Sequence, residues 1–429
     1  MDDHPVRITI EDDLRRSRLT VFFRLLLAIP HFIWFGLWSI AVVFAAIATW
    51  VAALVRGAAP DGLHNFLAAY IRYSTHLSAY LALAANPYPG FTGEPGYPLD
   101  VEFPGPQPQA RWKIALRLFL AVPALFIATV VGWGFHSGGA GASHNGDETE
   151  AGFFISIGGA VGACAFLGWF ASLALGRMPN GLRDLAAYGV GYNARAGAYA
   201  LLLTDHYPNS DPEAVGPGWS LPPHPVQLAL DDDGRRSRLT VAFRLLLTLP
   251  HLVWLALWSL AAILAAFANW LVALVRGRSA GPLHQFLAAY IRYTVHVSAF
   301  LFLVANPFPG FTGAPGYPVD VAIAPPERQS RWITFFRTWL SLPAFILSSA
   351  LAGVLFAAGF LGWFAALATG RMPTGLRNLG AISIRYQAQT HAYWLILHDR
   401  YPYASPALRP PAVEPDLEPE PEPEPEAAG

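Results

Sequence analysis

The sequence has few charged residues and a single cysteine. Of its 429 residues, 13% are charged, whereas 54% are hydrophobic and 14% aromatic. Soluble domains carry about 25% charged residues, so this composition predicts a membrane protein. Because Cys164 is the one cysteine, neither an intrachain disulfide nor a cysteine metal cluster can form. The formal net charge of −1 gives no overall attraction to nucleic acid, which we do not expect as a partner.

Motifs for catalysis and cofactor binding are also missing. The chain has no HExxH zinc motif, no Ser-His-Asp order and no phosphate-binding glycine loop, and its apolar segments hold no paired carboxylates. The acids of RITIEDD and QLALDDD could bind a hard cation, but a solvated turn whose acids neutralise neighbouring arginines explains them as well. We therefore expect no catalytic residues, no metal site and no cofactor, and a protein that is not an enzyme.

The chain contains two nested repeats. RRSRLTVFFRLLLAIPH in the first half returns 220 residues later as RRSRLTVAFRLLLTLPH, and a weaker similarity divides each half in two. This similarity predicts four units, at 6–90, 97–208, 226–310 and 317–402. The units group into a first membrane repeat, 1–215, and a second, 216–405. The acidic Pro/Glu segment 406–429 should be a disordered cytoplasmic tail.

Each unit has one long apolar segment. In the first unit it runs for 37 residues, from Leu19 to Val55. As one helix it would be about 55 Å long, against a hydrocarbon core of about 30 Å. Two antiparallel helices of about 18 residues would fit that thickness. The 26 residues that the second unit inserts, including the 136–152 loop of unknown role, would then form the tip of such a hairpin.

The predicted fold is an all-α integral membrane protein of four repeated units. Each unit has a membrane helical hairpin and an amphipathic interfacial helix, and short cytoplasmic β-strands precede the apolar segments and could pair into a small sheet. Two alternatives remain open. The amphipathic helices, at about 24 residues, could span the membrane. The apolar segments could instead be four long helices that bend at their prolines, Pro30, Pro123, Pro250 and Pro343.

Arginines flank the apolar segments and recur on the amphipathic helices. Guanidinium groups suit lipid phosphates, so we predict headgroup or interface contacts for this set. By the positive-inside rule, the open ends of the hairpins and both termini face the cytoplasm. The candidates are Arg18, Arg24, Arg72, Arg111, Arg117, Arg177, Arg183, Arg238, Arg244, Arg292, Arg331, Arg337, Arg371 and Arg377.

Two histidines lie inside apolar segments. His31 and His251 each follow a proline, and an ionisable group at membrane depth indicates a functional site unless it caps the carbonyl that the proline frees. Ala124 and Ala344 occupy the same position in the other units, so the fold does not require histidine. Coupled transporters usually have polar residues in their spanning helices and repeats of inverted orientation. Here the segments are almost purely apolar and the repeats all have the same orientation, which disfavours coupled transport. The predicted role is a non-enzymatic lipid- or protein-interacting membrane module; the alternative is a permease or channel between the hairpins.

Three features of the chain resemble a bacterial family, domain-of-unknown-function family 4389. They are the strand followed by RRSRLTVFFRLLLAIPH, the GRMPxGLR corner and the AYxxLLTDxYP exit. Two family-like copies would cover nearly the whole chain before the tail. The resemblance implies an integral membrane protein of uncharacterised role and supplies no functional residues. We therefore expect a multi-pass protein of the bacterial plasma membrane. Its expected partners are membrane lipids, together with a partner protein or a second copy of the chain.

Overall fold

The protein is mostly helical. The structure, a computed structural model, describes residues 4–134, 158–216 and 218–408. The first half comprises β1 (Arg7–Ile10), α1 (Arg18–Phe22), α2 (Arg24–Arg56), α3 (Asp61–Leu81), β2 (Leu99–Glu102), α4 (Arg111–Ala115), α5 (Arg117–Val131), α6 (Ala160–Leu175) and α7 (Asn180–Ala200). After the short α8 (Pro212–Val215), the second half comprises β3 (Val226–Leu230), α9 (Arg238–Ala242), α10 (Arg244–Arg276), α11 (Gly281–Leu301), β4 (Val319–Ile323), α12 (Arg331–Thr369) and α13 (Thr374–Trp394). The 136–152 loop and most of the predicted tail lie outside the described residues.

The apolar segments of the first, third and fourth units form single long helices. α2 and α10 have 33 residues each and α12 has 39, and all three are long and apolar enough to cross a membrane by length and composition. The predicted hairpins are therefore wrong, and the alternative of long helices describes these segments. A proline in the second turn of α2, Pro30, costs one backbone hydrogen bond. The Leu- and Ala-rich residues after it contain no turn sequence that could reverse the chain.

The insertion in the second unit interrupts a helix without ending it. The amides of Val161 and Gly162, in α6, donate to the carbonyl of Gly132, which follows α5, at 2.9 and 3.4 Å. α6 therefore continues the hydrogen-bonding pattern of α5. Glycines allow the chain to leave and return: Gly134 has φ +91°, and a Cβ on Gly159 would lie 2.3 Å from the Gly132 carbonyl oxygen. The insertion was therefore wrongly interpreted as a hairpin tip.

The two units of each half are joined at both ends of their long helices. Where α2 ends, the Gln109 amide donates to the carbonyl of Gly57 at 2.8 Å; where α6 ends, the Arg16 amide donates to Gly176 at 3.0 Å. The second half repeats this arrangement through the backbones of Gln329–Gly277 and Arg236–Gly370. Thus α2 and the α5–α6 pair meet at two junctions, as do α10 and α12.

The helices and strands form three layers. Val42 of α2, Ile71 of α3 and Val101 of β2 share one buried cluster, which places α3 between the long helix and the sheet. Ala262, Ile291 and Val321 repeat this order in the second half. The first layer, called the raft here, consists of α2, α5, α6, α12 and α10. The second layer consists of α3, α7, α13 and α11, and the third contains two antiparallel pairs, β1–β2 and β3–β4.

Small residues join the halves in the middle of the raft. Leu347 and Ala350 of α12 pack with Ala124 and Ile127 of α5 and with Ala163 of α6 in one core cluster. Short side chains allow the helix backbones to approach closely. The strands of the four units pair two by two rather than in one sheet, because each strand pairs with the other unit of its own half.

Candidate functional site

The outer face of the raft carries many exposed, large apolar side chains. Phe44 in the middle of α2 is 69% exposed, and Phe119 of α5, Leu264 of α10 and Trp339 of α12 are exposed to a similar degree. Patches on soluble monomers rarely exceed a few hundred Å², and larger ones mark interaction surfaces. The outer face of these five helices is therefore a candidate interaction surface.

The opposite face of the molecule is polar. In β1, Ile8 and Ile10 turn towards the second layer, whereas Arg7 and Thr9 are exposed. Glu102 of β2 and Gln227 of β3 are exposed on the same outer side of the two sheets. The two outermost layers therefore differ in chemistry: an apolar raft on one side and polar sheets on the other.

Exposed arginines lie at the ends of the raft helices. Arg18 donates to the carbonyl of Ala174 at the end of α6 at 3.0 Å, and Arg111 donates to Val55 at the end of α2 at 3.1 Å. Arg238 and Arg331 make the corresponding bonds to the ends of α12 and α10. A cation at a helix C-terminus stabilises the exposed carbonyls. With the exposed Arg177 and Arg371, these side chains form the rim of the raft.

Four of the predicted headgroup arginines are buried. Arg24 is 2% exposed; its guanidinium donates to the carbonyls of Tyr80 and Ala85 and lies 4.3 Å from the Tyr80 ring centre. Arg117, Arg244 and Arg337 occupy equivalent positions above Tyr199, Phe300 and Tyr393. Each binds carbonyls left open where a second-layer helix ends. These four arginines thus tie the raft to the second layer.

The remaining arginines are half-buried. Arg72 donates to the carbonyl of Val101 at 3.0 Å, and Arg292 repeats this contact in the second half. Arg183 bonds to Asp184 and Arg377 to Asn378, each the next residue. The bonds of Arg72 and Arg292 hold the second layer to the sheets, and Arg377 also donates to the carbonyl of Asp232. Headgroup contact for the whole arginine set stays a prediction.

An aspartate–histidine pair, which the sequence analysis missed, lies beside Arg72. His76 contacts Asp100 at 2.9 Å through Nε2, and His296 contacts Asp320 at 3.0 Å. Burial raises the pKa of Asp100, but hydrogen bonds from His76 and from two backbone amides outweigh it and lower the pKa overall. The signal was present in the repeated spacing of IRYxxH and GYPxD. The pair holds β2 to α3.

His31 and His251 are enclosed by aromatic rings. The Nδ1 atom of His31 lies 2.8 Å from the Tyr73 hydroxyl, and its ring stacks on Phe91 at 4.3 Å. His251 has the same environment, with Tyr293 and Phe311. Both side chains are fully buried. The histidines therefore fill aromatic boxes between α2 or α10 and the neighbouring exit loop.

Within residues 4–134, 158–216 and 218–408, no group of three or more His, Cys, Asp or Glu side chains is placed to hold a metal ion. Two buried histidines do lie together where β3 begins. The rings of His224 and His398 are 5.1 Å apart. Burial lowers the pKa of His224 to about 4 and that of His398 to about 3, so both are neutral at pH 7.

The model of one protein family matches the chain four times. It describes a domain of unknown function (DUF4389) and matches residues 18–92, 152–210, 238–312 and 331–405, more than half of the chain. Each match begins inside one of the four predicted units and ends two or three residues beyond it. The predicted family is thus confirmed, and its model matches four times rather than twice. No curated protein and no solved structure matches the chain.

Proposed function

Because the chain belongs to this family of domains of unknown function, we propose a single role for its four copies: they place the raft in one leaflet of a membrane. The protein is then a non-enzymatic, lipid-interacting module of the bacterial plasma membrane. The observation that carries this proposal is the order of the layers. An apolar raft on one side and polar sheets on the other match the two sides of a membrane surface.

The raft helices lie in the plane of the membrane. If they stood perpendicular to it, the second layer, which is packed on them, would also enter the hydrocarbon core. α3 packs along α2 and contributes Arg72, which bonds to Val101 in the sheet. A spanning α2 would bring Arg72, Asp100 and open sheet edges to the depth of the hydrocarbon. Unpaired polar groups cost several kcal/mol each there, and open edges do not occur.

Helix length supports the same placement. At 33 residues, α2 is about 50 Å long, against a core of about 30 Å, so spanning would require a steep tilt. An in-plane helix has no such limit. The rim arginines then lie at the level of the headgroups, where their side chains can reach phosphates while capping the raft helices.

This placement replaces the multi-pass topology with a one-sided one. The described ends of the chain, residues 4 and 408, pack on the side of the sheets, and none of the described segments needs to be translocated, so we expect that side to face the cytoplasm. Adding area to one leaflet expands it relative to the other. The protein thus acts through lipid packing and membrane shape. A permease gains no support, since His31 and His251 are enclosed by aromatic rings rather than aligned along a path.

The two ends of α2 test this proposal. Ser17 and Asp61 are exposed and flank the helix. Single cysteines at these positions, in a Cys164→Ala background, are treated with a membrane-impermeant maleimide in intact cells and in inverted vesicles. Cys164 is buried, and the fourth unit has Ala358 at its position, so this background should fold.

One-sided insertion predicts that both cysteines are protected in intact cells and react in inverted vesicles. Thr9→Cys, on the outer face of the sheet, is the positive control, and Phe44→Cys, in the middle of the raft, should not react from either side. If one end of α2 reacts in cells and the other in inverted vesicles, the helix spans the membrane and the proposal is wrong.

A further inference from the structure

A cavity of about 290 Å³ lies between α2 and α6 in the first half. The end of α3, at Leu81 and Leu83, lines it together with Trp133, Ala165 and Trp169. These side chains are almost entirely apolar. Among the described residues that line the cavity, Arg24 is the one that carries a charge. The cavity therefore combines an apolar interior with a single buried cation.

The cavity adjoins the outer face of the raft. Leu25 and Phe170 line it, and each is about half exposed on that face. If the raft lies in a leaflet, an acyl chain can enter from the hydrocarbon without crossing water.

The charge of Arg24 is not balanced within its own unit. Asn86 occupies the position where the second and fourth units have Asp205 and Asp399. Those aspartates lie 3.2 and 2.5 Å from the buried arginines of their units. Within the described residues, no carboxylate lies within 4 Å of the Arg24 guanidinium.

Asp12, the acidic group whose charge acts on Arg24, is already paired. Asp12 forms a 2.7 Å ion pair with Arg16. The Nε atoms of all four buried raft arginines lack a hydrogen-bond partner in the described part of the chain, so Arg24 differs from Arg117 and Arg337 by its missing carboxylate alone. A buried cation without a counter-ion is unfavourable, so this position favours an anion from outside the chain.

The second half fills the corresponding space with its own side chain. Phe302 and Gly359 stand at the positions of Ala82 and Ala165. The Phe302 ring lies across Gly359 so closely that a Cβ there would be 2.8 Å from its Cδ1 atom. The first half has only the methyl groups of two alanines at these positions, and the cavity remains.

We propose that this cavity binds one anionic phospholipid, with an acyl chain along the apolar wall and the phosphate as the counter-ion of Arg24. The inference rests on the proposed insertion of the raft into a leaflet, which supplies the lipid. Arg24 bonds to the end of α3, in the layer directly above the raft, and headgroups lie at that depth. A lipid held there would close the gap between the two units of the first half.

The repeats of the chain supply the test variants. Ala82→Phe with Ala165→Gly copies the Phe302–Gly359 contact and should fill the cavity. Asn86→Asp copies the aspartates of the second and fourth units and should give Arg24 an internal counter-ion. Asn306→Asp makes the same change beside Arg244 and is the matched control.

Lipid retained by the detergent-purified full chain is counted by native mass spectrometry after exchange with a 1:1 mixture of phosphatidylglycerol and phosphatidylcholine. The wild type should keep one lipid, with phosphatidylglycerol preferred at least fivefold. The filled variant should lose it, and Asn86→Asp should abolish the preference while Asn306→Asp keeps it. Equal retention by the wild type and the filled variant, or equal effects of the two aspartates, would overturn the proposal. Normal cysteine labelling of α2 together with no retained lipid would reject this site alone and leave the one-leaflet placement intact.

Discussion

Deleting residues 134–159 from the second unit tests how the insertion joins the helices. The deletion connects Trp133 to Ala160 and gives the second unit the spacing of α12, where Gly353 precedes Val354. Gly132 already accepts a hydrogen bond from Gly162, as a residue within a helix would. α5 and α6 should therefore become one continuous helix.

The expected gain in stability follows from loop closure. Removing a connection of 26 residues removes a closure cost of roughly (3/2)RT ln n, about 3 kcal/mol. The variant should fold and unfold at a higher temperature in detergent, as followed by circular dichroism. A variant with a Gly/Ser segment in place of residues 136–152 is the control and should keep the wild-type midpoint. A hairpin would lose its turn, so failure of the deletion variant to fold while the control folds would refute a continuous helix.

Three further predictions concern single side chains. Arg111→Gln should lower the unfolding free energy by about 1 kcal/mol or less, since it removes the cap on α2; an unchanged midpoint would contradict this role. The folded-state pKa of His398, about 3, lies below the ordinary value near 6.5. The contribution of neutral His398 to the free energy of unfolding should therefore be fully present above pH 6.5 and should fall towards pH 3 by up to about 1.4 kcal/mol per pH unit. The variant His398→Thr copies Thr204 and should flatten this slope in thermal melts between pH 7 and 4.5. His31→Phe should cost about 1 kcal/mol through its lost hydrogen bond and leave liposome binding unchanged; loss of liposome binding by a folded variant would show a role beyond packing.

The sequence was sufficient to predict the repeats and the length of the apolar segments. The 220-residue repeat and the corner at 176–185 predicted four units, and the family model matches the chain four times, once in each of them; the bounds of the units stay a prediction. Apolar composition and periodicity are local properties, so they predicted the helical character of these segments and the boundary between each long helix and the helix that follows it.

The arrangement of the helices could not be predicted in this way. Hairpins were predicted on the assumption that the length of each helix must match the thickness of the bilayer. That assumption does not hold for helices that lie in the plane of the membrane. The junction between Gly57 and Gln109 depends on contacts between residues far apart in sequence. Burial of Arg24 was not predicted, because charged side chains were expected at the membrane surface. In the structure, carbonyl oxygens and an aromatic ring at the end of α3 bind the guanidinium of Arg24.

The depth of α2 in the membrane tests the central claim most directly. Ile29, Phe44 and Val55 are exposed on the raft and span roughly 40 Å along the helix axis. Each position is labelled with a nitroxide through a single cysteine in liposomes, and its depth is measured from relaxation by oxygen and by a water-soluble nickel chelate. In-plane insertion predicts the same shallow depth for all three labels within a few ångströms. A label near the bilayer centre at position 44, with labels at opposite interfaces at 29 and 55, would contradict it.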